Sequence, residues 1–194
     1  MADFKTYAPF LSSWEGGYAN NKNDNGGETY RGVTIAAWTA YCKRKGITAP
    51  LKKMSQTQWE DIMRGGYWDA VHASELRSQS VANQVADFAV NAGVNRAAIT
   101  LQQAVNSANH NTALKVDGII GAKTLAAANA LNASTLYWAF RELRTNFYKS
   151  LASKSAKQAT FLRGWLRRVE ACGFGKYRLN DLKYTEVSFQ DNNT

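Results

Sequence analysis

Apolar side chains recur at three- and four-residue steps along almost all of this 194-residue chain. The one long interruption, residues 16–32 (GGYANNKNDNGGETYRG), holds five glycines and four asparagines and shows no period. Steps of three and four place apolar groups on one helical stripe, whereas dense glycine and asparagine make turns and allow only short strands. The fold class that follows is α+β, predominantly helical, with one small β element in the 16–33 segment. A second, weaker strand signal lies near the end, around Tyr184 to Phe189. No internal repeat is visible.

The helices can be placed from their caps and stripes. Phe4, Tyr7, Phe10, Leu11 and Trp14 mark a first helix that ends at Glu15, because Gly16-Gly17 follows. Thr34 can cap a second, running through Trp38 and Tyr41 to a stop near Gly46, and Ser55 with Gln58 makes a capping box ahead of Trp59, Ile62 and Met63. Gly65-Gly66-Tyr67-Trp68 reads as a turn. Val81, Val85, Phe88, Ala89 and Ala92 mark the next helix, and Asn95 is the expected cap of another through Val105. Asp117-Gly118 reads as a turn before a short helix at 122–130, Ser134 as the start of a long one, and a last helix carries Phe161, Trp165, Leu166 and Val169. Asn25-Gly26 is the expected hairpin turn of the irregular segment.

Composition narrows the chemistry. Two cysteines, Cys42 and Cys172, and two histidines, His72 and His110, offer little for a metal centre or a Ser-His-Asp triad, so the expectation is no metal and no cofactor. The start of the chain has neither a basic leader nor a continuous apolar run. The expectation is therefore synthesis in the cytoplasm without a signal peptide. The formal charge of +9 is uneven, with 11 Lys and Arg against 9 Asp and Glu in residues 1–100 and 13 against 6 in residues 101–194. Such a second half suits a polyanion: a wall polymer, an anionic membrane face or a nucleic acid. No nucleic-acid-binding motif accompanies the charge, so that partner is not expected, and a monomer is.

Polysaccharide cleavage needs a carboxylic acid at the scissile oxygen and usually a second carboxylate for water or the developing cation. Glu15, after an apolar helix and beside Trp14 and Tyr18, could sit in a cleft wall and stay protonated. Asp24 in the polar loop could remain ionised, Thr29 or Thr34 could hold a water, and Glu28 is a third carboxylate nearby. A solvated helix-end glutamate and ordinary turn residues would leave the same trace. Among the aromatics, those on helical stripes belong to the core, and Tyr18, Tyr30 and Trp68 are the candidates for stacking on a sugar.

The run Glu15-Gly16-Gly17-Tyr18, then Asn23-Asp24, Gly26-Gly27-Glu28-Thr29 and Gly32-Val33-Thr34, resembles the signature of the glycoside hydrolase family 108 N-acetylmuramidases, lysozyme-like endolysins. It is similar also to phage-type lysozymes, in which eight residues separate a glutamate from an aspartate. Lys22 and Asn25 stand where the family pattern has prolines. The resemblance implies a lysozyme-like fold and hydrolysis between N-acetylmuramic acid and N-acetylglucosamine, with Glu15 as the catalytic glutamate and Asp24 and Thr29 assisting. Residues 87–93 (DFAVNAG), 101–104 (LQQA) and 116–121 (VDGIIG) with Thr124 resemble the helical peptidoglycan-binding segment of the same family.

These readings divide the chain into a catalytic lobe over 1–92, a helical lobe over 93–178 packed on it, and a tail over 179–194. The resemblance implies bacterial peptidoglycan as substrate and partner, with anionic wall polymers or a membrane surface reached through the basic half. Such an enzyme would meet its substrate after holin-type release, lysis or dedicated secretion. Two other readings fit the same residues. A lytic transglycosylase would use Glu15 alone and leave anhydro sugar ends, and a non-catalytic wall-binding or secretion-assisting protein would not need the Glu15 acid at all.

Overall fold

The computed structural model describes residues 1–19, 28–109 and 113–191. The expected Asn25-Gly26 turn and Asp24 fall outside the described residues. Helix α1 spans Phe4–Trp14, opened by the Asp3 carboxylate accepting from Lys5 N and closed by Glu15 in an extended conformation. Three two-residue strands follow, β1 (Tyr18–Ala19), β2 (Thr29–Tyr30) and β3 (Val33–Thr34), forming an antiparallel sheet in the order β1-β2-β3. The tight turn of this sheet is Arg31-Gly32, with φ of +50° and +77°. Two consecutive left-handed residues make the primed turn whose twist suits a hairpin.

Helix α2 (Ile35–Lys45) is capped by Thr34 and ends at the left-handed Gly46, and α3 (Gln56–Met63) carries the full Ser55–Gln58 capping box. Where a turn was expected at Gly65-Gly66, Arg64–Trp68 continues α3 as a single π-helical turn. Helix α4 (Gln79–Ala92) starts at Ser78. Helix α5 (Val94–Ala108) begins one residue before Asn95, with Gly93 at its cap position. α6 spans Ala122–Ala130. α7 (Ala133–Lys154) takes Asn132 rather than Ser134 as its cap, since Asn132 Oδ1 accepts from Thr135 N. A short α8 (Ala156–Ala159) leads to α9 (Leu162–Ala171).

α4 is the axis of the molecule. Residues Gln79 to Ala89 are all buried, polar ones included, and the helix packs against α5, α7 and the π-helical turn. A helix apolar over most of its circumference belongs inside a core, and each polar group it carries there needs a partner. Gln79 bonds both ways with the backbone of Asp3, and Gln84 donates to Cys172 O.

The last segment is integrated into the fold. Strands β4 (Lys176–Arg178) and β5 (Glu186–Ser188) pair antiparallel, so the expected tail from residue 179 supplies the loop and second strand of a hairpin packed on α1. Tyr177 lies against Phe10 and Phe189, Arg178 O accepts from the Trp14 indole, and Asn180 N donates to Ser13 Oγ. The Asp191 carboxylate accepts from Ser80 N and Ser78 Oγ at the start of α4.

Candidate active site

Glu15 lies where α1 stops, and two neighbours bury its carboxyl. The Arg31-Gly32 turn lies over one oxygen: a Cβ built on Gly32 would fall 2.2 Å from Glu15 Oε2. On the other oxygen, Arg168 of α9 donates from Nη2 to Oε1 at 2.9 Å. The Glu15 side chain is left 11% exposed. Burial raises its pKa above the ordinary carboxylate value; the Arg168 cation opposes this without cancelling it, and the Asp87 charge adds to the rise. A partly desolvated carboxyl whose pKa is raised by burial is better suited to delivering a proton than a solvated one.

Arg168 is itself shared. Its Nε and Nη2 donate to Asp87 at 2.8–3.2 Å, and Asp87, fully buried on α4, also accepts from Arg144 of α7 and from the Tyr7 hydroxyl at 3.1 Å. Burial alone would push the Asp87 carboxyl up, but Arg168 and Arg144 outweigh it and hold it below the usual range. The Arg144 guanidinium also lies 5.4 Å from the Phe88 ring and 5.7 Å from that of Tyr148, which lowers the cost of burying a cation. Glu15 at the end of α1, Asp87 of α4, Arg144 of α7 and Arg168 of α9 thus form one connected network.

The hairpin turn over Glu15 is anchored by its own arginine. Arg31 donates to Ser12 Oγ and Gln56 Oε1, stacks 4.5 Å over Trp59, and receives the Trp59 indole N–H on its carbonyl. These contacts hold a non-glycine residue at φ +50°.

The remaining candidates scatter. Thr29 lies in β2 opposite Ala19 and Thr34, and Thr34 spends its hydroxyl capping α2. Glu28 precedes β2 and lends its carbonyl to Ile35 N. Tyr18 and Tyr30 face each other across β1 and β2, Tyr18 being 38% exposed under the Lys52 ammonium. Trp68 is no cleft residue: it is 0% exposed, stacked on Tyr7, with its indole N–H on Ser74 Oγ. Trp14 lies against Phe10 and under the Arg167 guanidinium. Tyr67, on the π-helical turn, is raised in pKa by burial and by the Glu15 charge, and is a neighbour that periodicity did not single out.

Arg168 was also missed, and Asp87 and Gly32 entered the sequence reading only as parts of the family pattern, without a role at the site. A charged residue inside the Val81–Val85–Phe88 stripe was the available sign of a buried pair. The two-residue spacing of Arg31-Gly32 between Tyr30 and Val33 was the sign of the turn. A groove of about 600 Å³ lined by Lys5, Ala8, Pro9, Ser12, Gln56 and Glu60 does not include Glu15.

A buried glutamic acid at a helix end, beside a small antiparallel sheet in a predominantly helical, lysozyme-like α+β fold, defines the class of a glycoside hydrolase. The comparisons with known proteins agree. The glycosyl hydrolase 108 family model matches residues 8–93 and the predicted peptidoglycan domain matches residues 96–170. The solved structure of Brucella abortus SagA is similar with a TM-score of 0.69 and 31% identity, over 87% of this chain and 90% of that one. No curated protein matches. The chain belongs to the glycosyl hydrolase 108 family and carries that family's predicted peptidoglycan domain. Together these support a peptidoglycan hydrolase.

Proposed function

We propose that the protein is an N-acetylmuramidase that cleaves the β-1,4 bond between N-acetylmuramic acid and N-acetylglucosamine, with Glu15 as general acid. The observation that carries this reading is the Glu15 carboxyl itself, 11% exposed between the Gly32 turn and the Arg168 guanidinium, with burial raising its pKa although the arginine touches it. In this reading Glu15 protonates the leaving glycosidic oxygen, while Asp24 and Thr29 orient the attacking water. The exposed cations of the second half hold the enzyme on anionic wall polymers; Arg144 and Arg168 take no part in this, being buried against Asp87 and Glu15. That attachment weakens as salt rises.

The test is mass spectrometry of the soluble products from peptidoglycan digested with the parent and with Glu15→Gln. Reducing muramic acid ends, lost with the substitution by a factor of about 10²–10⁴ in rate, are the expected result. Anhydro ends would make the enzyme a transglycosylase, and intact glycan in both samples would end the catalytic reading.

A further inference from the structure

Glu15 belongs to the part of the chain that the glycosyl hydrolase 108 model covers, yet the cation that touches its carboxyl comes from α9, inside the part matched by the predicted peptidoglycan domain. Arg168 reaches it with its side chain 10% exposed, fixed from behind by Asp87. Its Nε–H and one Nη2–H are spent on Asp87, and the second Nη2–H goes to Glu15 Oε1. Asp87 in turn is held by Tyr7 and Arg144, so the guanidinium plane is set by groups from three helices.

We propose that Arg168 is a positioning residue for the Glu15 acid, and that the second lobe thereby completes the active centre rather than serving only to hold the wall. With Oε1 accepting the Arg168 N–H, the acid proton is left to Oε2, the oxygen beside the Gly32 turn. An arginine can do this and a lysine cannot, because a planar fork serves two carboxylates at fixed angles while an ammonium is a point charge on a flexible stem. The charged and titratable groups around Glu15 among the described residues are Arg168 from α9, Asp87 from α4, Tyr7 from α1 and Tyr67 from the π-helical turn. Arg168 draws the Glu15 pKa down and Asp87 draws it up.

The inference rests on Glu15 being the acid, so the experiment separates the two. Arg168→Lys, Arg168→Met, Asp87→Asn and Glu15→Gln are made in the full chain, folding is checked by near-ultraviolet circular dichroism, and kcat and KM are measured on soluble glycan fragments across pH. Arg168→Lys is expected to lower kcat by about 10–100-fold, the scale of a misplaced catalytic group, with KM within about twofold. The alkaline limb of kcat, where the acid loses its proton, is expected to move up in Arg168→Met and down in Asp87→Asn, a pair of opposite shifts that a purely structural arginine would not produce. A folded Arg168→Lys with kcat within about twofold of the parent, or limbs that shift together, overturns the inference. Arg168→Lys, which keeps the buried cation, decides the question if Arg168→Met or Asp87→Asn does not fold. Activity in Glu15→Gln would refute the acid assignment itself, whereas an inactive Glu15→Gln beside an unimpaired Arg168→Lys would refute only the positioning.

Discussion

Replacing Gly32 by alanine tests the geometry at the acid most directly. The added Cβ would meet Glu15 Oε2 at 2.2 Å and Glu15 Cδ at 3.0 Å, at a residue whose φ is +77°. Two effects follow, on different quantities. The left-handed backbone costs an alanine about 1–2 kcal/mol, which for a chain of this size lowers Tm by roughly 2–4 °C per kcal/mol. Relieving the contact requires the carboxyl or the turn to move by about 1 Å, and a misplacement of that size costs on the order of 10² in turnover. The Arg168 bond on the opposite oxygen limits how far the carboxyl can retreat. Gly46→Ala supplies the control, because Gly46 has φ +66° and nothing within 4 Å. It carries the backbone cost without the contact, so it should lose stability and keep its turnover per folded molecule. The assay is kcat on soluble glycan fragments beside thermal unfolding of the same preparations. A folded Gly32→Ala that turns over like the parent, or equal losses of activity in both variants, would show that the Gly32 turn does not place the acid.

Three further outcomes follow from the same groups. The Glu15 carboxyl has its pKa raised in the folded state, so its ionised form at neutral pH favours unfolding, and Glu15→Gln should raise Tm at pH 7 while removing activity; a lower Tm would contradict the desolvation argument. Asp87 is held below its ordinary value, so its contribution to stability is present above the unfolded carboxylate pKa of about 3.9 and is lost as pH falls toward the lower folded one. Thermal unfolding followed from pH 6 to pH 3 should show that loss in the parent and a shallower one in Asp87→Asn. Ending the chain after Arg178 should destabilise it by about 2–4 kcal/mol, through lost Phe189 packing and the lost Asp191 bonds to Ser78 and Ser80, and an unchanged Tm would falsify the account of the hairpin.

The helical frame could be read from the sequence because its signals are local. Thr34 caps α2 and the Ser55–Gln58 box opens α3, as their spacing implies. Asn95 and Ser134 misled by one or two residues, since a polar residue inside the first turn looks like a cap until the backbone is seen. Trp68 misled more seriously. Its two preceding glycines suggested an open turn, but the π-helical turn directs the indole into the core beside Phe4 and Tyr7. At the site, Glu15 was identifiable from its motif and its place at a helix end. Its partners were not, because Arg168 lies 153 residues away and Asp87 is reached only through it. No period or spacing encodes an ion pair across that separation.

The stabilising contacts of the first helices span very long stretches of chain. Trp14 donates to a carbonyl 164 residues later, and Ser80 N in the first turn of α4 donates to Asp191, 111 residues further on. Loop closure over such separations must precede the contacts that reward it, which slows folding. During synthesis the first half of the chain emerges without Arg168, which holds the Glu15 carboxyl, and without the hairpin that packs on α1. The surroundings of Glu15 are therefore among the last parts of the molecule to become ordered, and a nascent or truncated chain carries the Glu15 motif without the contacts that hold its carboxyl.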